Sequence, residues 1–417
     1  MEKGELKIAL VTQYFWPESF SINDLVEALV AQGHTVEVFT GKPNYPDGKI
    51  FPGYQAEGAS EELFAGSVAV HRAPLRPRGA GGAANLARNY LSFVWNGLRH
   101  FPRQAKGKSF DIVFVFSLSP ITAAIPAIYL KWRLRKPMAM WVLDLWPESL
   151  SATGFIKNKF VLNAIGLMVR GIYACSGLIM VQSRAFIDAV SRYADPRKLV
   201  YYPNCSRDTP HTLSADTQVP RALLEEMESR FCVVFAGNLG TAQAVETLAA
   251  AAEQLKHLPD VRLVLVGSGS MSPWLAEQKQ ARNLDNLILA GRFPASEMPQ
   301  FLTRAQGLIV SLKRSEIYAQ TVPAKIQTYL SAGRPILASI DGEGARVVEE
   351  AGAGLVSPAE DAGQLARNIE QLHGMSAEAR TAMGERGRAY FLEHFELEKQ
   401  AARLAELLQQ HIDRGGR

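Results

Sequence analysis

Short runs rich in Val, Ile, Leu and Phe alternate with amphipathic helical patterns along nearly the whole chain. Continuous apolar strands separated by helices are typical of parallel sheets built from βαβ units. In the first half, the pattern predicts a helix over 21–31 and strands at 7–12, 35–40, 68–72, 111–116, 138–143, 177–181 and 200–202. In the second half, it predicts a helix over 245–256, a helical tail over 377–412, and strands at 232–237, 262–267, 287–291, 308–312, 335–339 and 354–356. We therefore expect an α/β fold.

A chain of 417 residues is too long for a single hydrophobic core and suits two α/β domains of roughly 200 residues each. A polar interval from Asn204 to Arg221, with Pro210 and Pro220 and no apolar periodicity, predicts an interdomain linker. We predict an N-terminal Rossmann-like domain at 1–205, a linker at 206–230 and a C-terminal Rossmann-like domain at 231–395. A last helix at 396–417 could pack back toward the N-terminal domain.

The composition limits the cellular environments and the classes of partner that we expect for this chain. The formal net charge of +4 is too small to predict a nucleic-acid partner. Three isolated cysteines, Cys175, Cys205 and Cys232, indicate neither a disulfide framework nor a metal site, which fits a reducing cytoplasm. The first residues lead directly into an apolar strand, so we expect no secretory signal, and Pro120 and Pro126 interrupt the longest apolar run. We expect no transmembrane helix.

Positive charge is concentrated in one block. Between Leu63 and Leu143 the only acidic residue is Asp111, whereas twelve basic residues occur there: Arg72, Arg76, Arg78, Arg88, Arg99, Arg103, Lys106, Lys108, Lys131, Arg133, Arg135 and Lys136. Residues 86–101 within this block also carry an apolar stripe at helical spacing. Such a surface could rest on an anionic bilayer or hold a phosphorylated lipid. Alternatively, the stripe packs on a sheet and the charges are solvated.

Residues 321–339, TVPAKIQTYLSAGRPILAS, predict a loop, a helix and a buried strand in succession. Thr321 is expected to cap the helix, with Pro323 near its first position and Gly333 at its end. A helix start offers unpaired N–H groups and the positive end of the helix dipole, and Lys325 adds a full charge. The segment therefore suits a phosphate group. Alone, such a motif is more often an ordinary helix-to-strand connection with a solvated lysine.

Other loops that follow strands of the second domain strengthen this interpretation. Gly237 and Gly240 permit close backbone approach, but neither their loop nor the one at Gly267 has the three glycines of a dinucleotide fingerprint. We therefore expect no nicotinamide or flavin cofactor. The same loops offer polar groups at Asn238, Thr241 and Gln243, and neighbouring strand ends lead into Arg292, Phe293 and Lys313. Convergence of positive charge and free N–H groups at one sheet edge predicts a diphosphate ligand.

Acidic residues indicate no metal site. No Asp-x-Asp pair and no His/Asp/Glu cluster at ligand spacing occurs, so we expect lysine, arginine and helix N-termini to neutralise the diphosphate. In the first domain, the loop DLWPES places Asp144 and Glu148 after a strand, and the loop QYFWPES places Glu18 after another. These three carboxylates are candidates for acceptor chemistry, although acidic residues in such loops are more often caps.

The segments QYFWPESFSINDL, LDLWPESLSATG, VQSRAF, AGNLGTAQ, VPAKIQTYLSAGRPILA and AGAGLVSP, which span most of the chain, resemble those of a known family. The chain looks like a retaining glycosyltransferase of family 4 with the GT-B fold, in which two Rossmann-like domains face a central cleft. The closest resemblance is to bacterial enzymes that add N-acetyl-L-fucosamine from its UDP-sugar during surface polysaccharide assembly, as in O-antigen or capsule.

The resemblance implies a site in each domain. Nucleotide-sugar contacts are implied at Gly237, Asn238, Gly240, Gln243, Gly267, Arg292, Phe293, Lys313, Gln320, Thr321, Val322, Pro323, Lys325 and Thr328. Acceptor contacts are implied at Pro17, Glu18, Ser21, Lys42, Arg76 and Arg78, and catalytic roles at Asp144, Glu148 and Lys325. The chain departs from the family where two glutamates are usual, since Gln320 and Thr328 occupy those positions. Asn238 and Gln243 likewise replace the usual Arg and Lys of the glycine loop.

The function implied is transfer of a sugar, N-acetyl-L-fucosamine or a related amino sugar, from a UDP-sugar to a polyprenyl-diphosphate-linked saccharide, without metal or other cofactor. The enzyme is expected in the cytoplasm, peripherally associated with the inner face of the bacterial plasma membrane. Three alternatives remain open: a GT-B nucleotide-sugar 2-epimerase, a non-catalytic two-lobed binding protein, which needs an export signal, and a membrane-docking scaffold. The sequence assigns no oligomeric state.

Overall fold

The computed structural model describes residues 4–79, 82–152, 156, 158–208, 213 and 216–416. The chain divides into two compact units. One comprises Met1–Arg207 together with Leu397–Arg417, and the other comprises Asp208–Glu396. The second unit therefore interrupts the first in sequence, and the C-terminal segment belongs to the first.

Each unit is built from strands and helices that alternate along the chain. The strands are β1 (Lys7–Val11), β2 (Thr35–Thr40), β3 (Ser60–Phe64), β4 (Val68–Arg72), β5 (Ile112–Ser117), β6 (Met138–Val142), β7 (Leu178–Val181), β8 (Leu199–Tyr201), β9 (Phe231–Ala236), β10 (Val261–Val266), β11 (Leu287–Gly291), β12 (Gly307–Ser311), β13 (Ile336–Ser339) and β14 (Gly354–Ser357). The helices are α1 (Ser21–Ala31), α2 (Ala83–Gln104), α3 (Ala124–Leu134), α4 (Glu148–Ala152), α5 (Lys159–Ala174), α6 (Ala185–Ser191), α7 (Arg221–Ser229), α8 (Val245–Gln254), α9 (Ser272–Ala281), α10 (Met298–Leu302), α11 (Glu316–Gln320), α12 (Ala324–Ser331), α13 (Glu343–Glu350), α14 (Ala362–Gly374), α15 (Ala377–His394) and α16 (Leu397–Asp413).

The first unit has a sheet in the order β3-β4-β2-β1-β5-β6-β7-β8, in which only the β3–β4 pair is antiparallel. Alternate residues of β5 point to opposite faces, as the period of a strand requires. Val113 and Val115 face the core formed with α2, α3, α5 and α6. Phe114 and Phe116 face the core formed with α1 and α16. Helices therefore cover both faces of the sheet.

The second unit has a six-stranded parallel sheet in the order β11-β10-β9-β12-β13-β14. The chain starts at the centre with β9, moves outward to β11, and returns to the other side of β9 with β12. This reversal is the topological switch point at which doubly wound folds bind ligands, beyond the carboxyl ends of the strands. It places the loops after β9 and β12 side by side.

The structure corrects the predicted elements in several places. β3 was missed because its sequence, SEELF, has three polar residues and an edge strand needs only one buried face. Residues 221–229, which we assigned to a linker, form α7, and its Met227 is buried in the core of the second unit. Pro210 and the rest of 209–212, with 214 and 215, lie outside the described residues. The predicted tail helix breaks at Phe395, so that α15 and α16 belong to different units.

Within the described residues, no helix combines the length and the apolar character needed to cross a bilayer.

Candidate active site

The glycines after β9 and β10 bring two backbone segments into direct contact. Gly237 and Gly267 have φ values of +139° and +143°, a region that side chains disfavour. A Cβ on Gly267 would lie 1.8 Å from the Gly237 carbonyl oxygen. A Cβ on Gly237 would lie 2.7 Å from Lys325 Cε. Glycine is therefore required at both positions, and the Lys325 side chain occupies the space above Gly237.

Lys325 is the second residue of α12, and most of its side chain is removed from water. Its Nζ donates a hydrogen bond to Gln243 Oε1 at 2.7 Å and lies 3.7 Å from the centre of the Phe235 ring. Burial lowers the pKa of this ammonium group from 10.5 to about 7. Among the described residues, no carboxylate forms an ion pair with it. The site therefore holds a desolvated amine that lacks a counter-charge and is only partly protonated at neutral pH when no anion is bound.

The start of α12 differs from the prediction in one respect. Thr321 does not cap α12 but ends α11, and its hydroxyl donates to the Tyr318 carbonyl at 3.2 Å. Pro323 is the N-cap, where its missing N–H has no cost, and its extended backbone leads into Ala324. Val322 is buried beside it. Lys325 still lies in the first turn of α12, and Gly333 ends the segment with φ +65°, as the sequence predicted.

A pocket of about 490 Å³ lies at the same sheet edge. Gly237, Asn238 and Gly267 form part of its wall, with Arg292 and Phe293 from the loop after β11. Arg292 is exposed, whereas Phe293 is half-buried and packs on Phe301 with ring centres 5.0 Å apart. The structure thus brings these five predicted residues together around one concave surface, which has a cationic and an aromatic wall.

The remaining predicted donor residues have more local roles. Lys313 Nζ lies 3.2 Å from Glu246 Oε1, so its charge already has a partner. Thr328 is exposed and its hydroxyl donates to the Ala324 carbonyl one turn earlier. Gln320 is half-buried at the end of α11. Gly240 precedes the turn that contains Gln243. A Cβ on Gly240 would lie 2.7 Å from Asn238 Nδ2.

In the first unit, two predicted acceptor contacts are buried groups that hold loops together. Glu18 Oε1 accepts hydrogen bonds from the backbone N–H groups of Asn44 and Tyr45, both at 2.8 Å, and Oε2 accepts from Phe15 at 3.2 Å. Burial raises the pKa of Glu18 to about 6, despite these donors. Lys42 is also buried, and its Nζ donates to Ser60 Oγ at 2.6 Å. In this structure both groups make contacts within the protein, and their roles as direct acceptor contacts stay predictions.

Asp144 follows β6 and lines an apolar pocket of about 240 Å³. Burial raises its pKa above the usual range, and hydrogen bonds from Ser119 and Ser149 oppose that shift. Trp146, in the wall of the same pocket, donates to Ser119 Oγ at 3.0 Å. Glu148 starts α4 and accepts from the Tyr193 hydroxyl at 3.4 Å. Asp144 is thus a partly desolvated carboxylate at a pocket wall, as a base or an orienting group requires.

Sequence reasoning missed an aromatic cluster beside Asp144. The Arg78 guanidinium lies over the rings of Tyr14 and Tyr45, at 5.9 and 5.2 Å from their centres. Tyr90 lines the Asp144 pocket, and burial raises its pKa. Tyrosines in the loops after β1 and β2 were visible in the sequence, but nothing in their spacing showed that they converge. Tyr14 is buried, whereas Tyr45 is 39% exposed, so the Tyr45 ring offers a stacking surface for a sugar.

Three further predicted acceptor residues lie near these loops. Ser21 is the exposed first residue of α1, and Pro17 precedes it in the loop after β1. Arg76 has an exposed side chain, and its carbonyl accepts from Asn89 Nδ2 at 2.6 Å.

Comparison with known families identifies both halves of the chain. Residues 20–205 match the family described as a glycosyl transferase 4-like domain, and residues 230–374 match glycosyl transferases group 1. The chain is a glycosyltransferase of the GT-B fold. Together, the two matches cover the six-stranded sheet and all of the eight-stranded sheet except β1.

Individual relatives of this glycosyltransferase are distant in sequence. WcaI of Escherichia coli (strain K12), named as a glycosyl transferase of colanic acid biosynthesis, is 23% identical over 317 residues, covering 74% of this chain and 76% of its own length. Sucrose-phosphate synthase from Thermosynechococcus elongatus has a TM-score of 0.73 at 18% identity, with 98% and 99% of the two chains covered. Anabaena HepE, solved in complex with UDP, has a TM-score of 0.66 at 14% identity, with 97% and 100% covered. These structures share the fold.

Proposed function

We propose that this glycosyltransferase transfers a sugar, with retention of configuration, from a UDP-sugar to a lipid-diphosphate-linked saccharide in bacterial surface polysaccharide assembly. Lys325 carries the proposal. A desolvated ammonium group without a carboxylate partner, at a helix N-terminus and over a glycine loop, suits the diphosphate of a nucleotide sugar. The UDP complex of HepE supports UDP as the nucleotide of the donor, and the name of WcaI supports a role in polysaccharide biosynthesis.

The donor is assigned to the second unit. The diphosphate would lie between the start of α12 and the loop at Gly237 and Asn238, and the base would occupy the pocket beside Arg292 and Phe293. Breaking the bond between the sugar and the diphosphate leaves negative charge on the departing UDP. Lys325 and the α12 dipole stabilise that charge more strongly than they stabilise the intact donor, which accelerates the reaction.

The acceptor is assigned to the first unit. Asp144 orients the attacking hydroxyl, with Glu148 nearby at the start of α4, and the exposed ring of Tyr45 contacts the acceptor saccharide. In the front-face displacement that we propose, the leaving phosphate accepts the proton of that hydroxyl. No metal enters this scheme. The sugar best supported by the resemblance is N-acetyl-L-fucosamine or a related amino sugar, and the lipid acceptor implies work at the cytoplasmic face of the membrane.

The direct test is a donor panel. The protein is incubated with a polyprenyl-diphosphate GlcNAc acceptor and with UDP-, GDP- or dTDP-sugars, and nucleotide release and product configuration are followed. We expect acceptor-dependent release of UDP and a retained anomeric configuration. Reaction with dTDP-sugars alone would refute the donor assignment, and conversion of a UDP-sugar without acceptor would indicate an epimerase.

A further inference from the structure

The outer side of the helices α2, α3 and α5 exposes large apolar side chains. Trp95 on α2 and Trp132 on α3 are 69% and 62% exposed, and Phe160 and Leu167 on α5 are 85% and 67% exposed. α3 packs against both α2 and α5, and all three cover one face of the first sheet with their inner sides. The exposed residues therefore belong to a single helical layer. Such a concentration of exposed apolar groups marks an interaction surface.

A basic groove lies in the same layer, where the end of α2 meets the end of α3. Its volume is about 590 Å³, and it is lined by Arg99, Arg103, Lys106, Lys108 and Arg133, with no acidic residue in its wall. Lys108 pairs with Glu37 at 2.6 Å. Within the described part of the chain, the other four cations form no ion pair with a carboxylate. Together with burial, the charges of Arg99 and Arg103 lower the pKa of the intervening His100.

Exposed apolar side chains and a basic groove thus lie in the same helical layer, and we call this surface the docking face. It comprises the basic groove and the exposed Trp95, Trp132, Phe160 and Leu167. Tryptophan favours the headgroup level of a bilayer, where its ring is apolar and its N–H remains hydrated. Clustered lysine and arginine side chains are attracted to the negative surface of an anionic leaflet. A surface with both properties complements a bilayer in charge and in polarity.

We propose that the docking face binds the surface of an anionic lipid bilayer, with a phosphate-bearing lipid headgroup in the basic groove and Trp95 and Trp132 at the headgroup level. The inference deepens the proposed function and rests on it, because a lipid-linked acceptor would bring this enzyme to a membrane. The occupant is a lipid surface, because the basic groove and the exposed tryptophans lie in one helical layer, and an anionic bilayer complements both.

The first test measures binding to phosphatidylcholine vesicles with and without phosphatidylglycerol, by co-sedimentation of the full chain. We expect binding only to the anionic vesicles and loss of binding at high salt. The quadruple variant R99Q/R103Q/K106Q/R133Q should reduce partitioning roughly tenfold or more. The matched control R221Q/R230Q/K256Q/K279Q removes the same charge from the second unit and should bind like the wild type. Equal binding by the groove variant, or no binding by the wild type, would overturn the proposal.

The second test reports on the depth of the tryptophans. Vesicles containing brominated phosphatidylcholine and phosphatidylglycerol should quench the tryptophan fluorescence of the wild type, and W95F/W132F should lose most of this quenching while it still sediments. Unchanged quenching in that variant would place the contact elsewhere and overturn the proposal.

UDP binding, measured on the same variants, separates this inference from the proposed function. Retained UDP binding without vesicle binding counts against the docking face alone. Vesicle binding without UDP binding counts against the proposed donor site alone.

Discussion

Lys325 Nζ donates a hydrogen bond to Gln243 Oε1 at 2.7 Å, and this amide oxygen is its polar partner in a largely desolvated site. A neutral partner leaves the positive charge uncompensated. A carboxylate in place of the amide would form an ion pair and would compete with an incoming diphosphate. The pairing of Lys325 with Gln243 therefore keeps the cation positioned and available to an anion.

Replacement of Lys325 by alanine should lower kcat roughly tenfold or more, because one preorganised donor to the leaving diphosphate is lost. Acceptor-dependent UDP release measures the effect. Lys279→Ala, which removes a lysine from α9 in the same unit, serves as the matched control and should leave turnover unchanged. Turnover near that of the wild type in Lys325→Ala would refute the diphosphate role.

The stability of the empty protein should also depend on pH through Lys325. Its pKa is lowered from 10.5 to about 7 by burial, so between these values the unfolded chain binds more protons than the folded one. The free energy of unfolding contributed by this group therefore rises with pH across that window. Urea unfolding at several pH values should show a smaller rise in Lys325→Met than in the wild type. Identical pH profiles would mean that the ammonium is well solvated.

Gly237→Ala should weaken UDP binding. Its φ of +139° disfavours a side chain, and the added Cβ would lie 2.7 Å from Lys325 Cε, which must then move. Gly374→Ala is the matched control, since a Cβ there meets no atom within 4 Å and the backbone is not left-handed. Calorimetric titration with UDP measures both variants. Equal affinities would show that Lys325 can shift without loss of function.

Asp144→Asn should reduce acceptor-dependent turnover roughly tenfold or more, because the carboxylate that orients the attacking hydroxyl is replaced by an amide. UDP affinity should stay unchanged, because the donor is assigned to the other unit. Asp188→Asn, an exposed acid on α6, is the control. Loss of UDP binding in Asp144→Asn would assign this residue to the donor site instead.

The sequence predicted the alternation of strands and helices well, because buried parallel strands leave long apolar runs. It also predicted the helix with Lys325 in its first turn, since Pro323 and Gly333 are strong local signals. It failed at Thr321, where a residue suited to capping instead ends the preceding helix. Local patterns indicate that a helix starts, but a competing short helix can move the cap.

The acceptor side was harder to predict because its groups meet only in three dimensions. Glu18 looked like a free carboxylate in a loop, yet distant N–H groups at Asn44 and Tyr45 occupy one of its oxygens. Arg78 and Tyr14 are far apart in sequence and form a cation–π contact. Neither the periodicity nor the composition of the chain records such long-range contacts.

The central claim is that Lys325 and the start of α12 hold the diphosphate of UDP. The most direct measurement is calorimetric titration of UDP into the full chain and into Lys325→Met at pH 7. We predict one UDP bound per chain by the wild type, and an affinity at least roughly tenfold weaker in the variant, as expected for a lost charge-assisted contact. Equal affinities, or no UDP binding by the wild type, would contradict the claim.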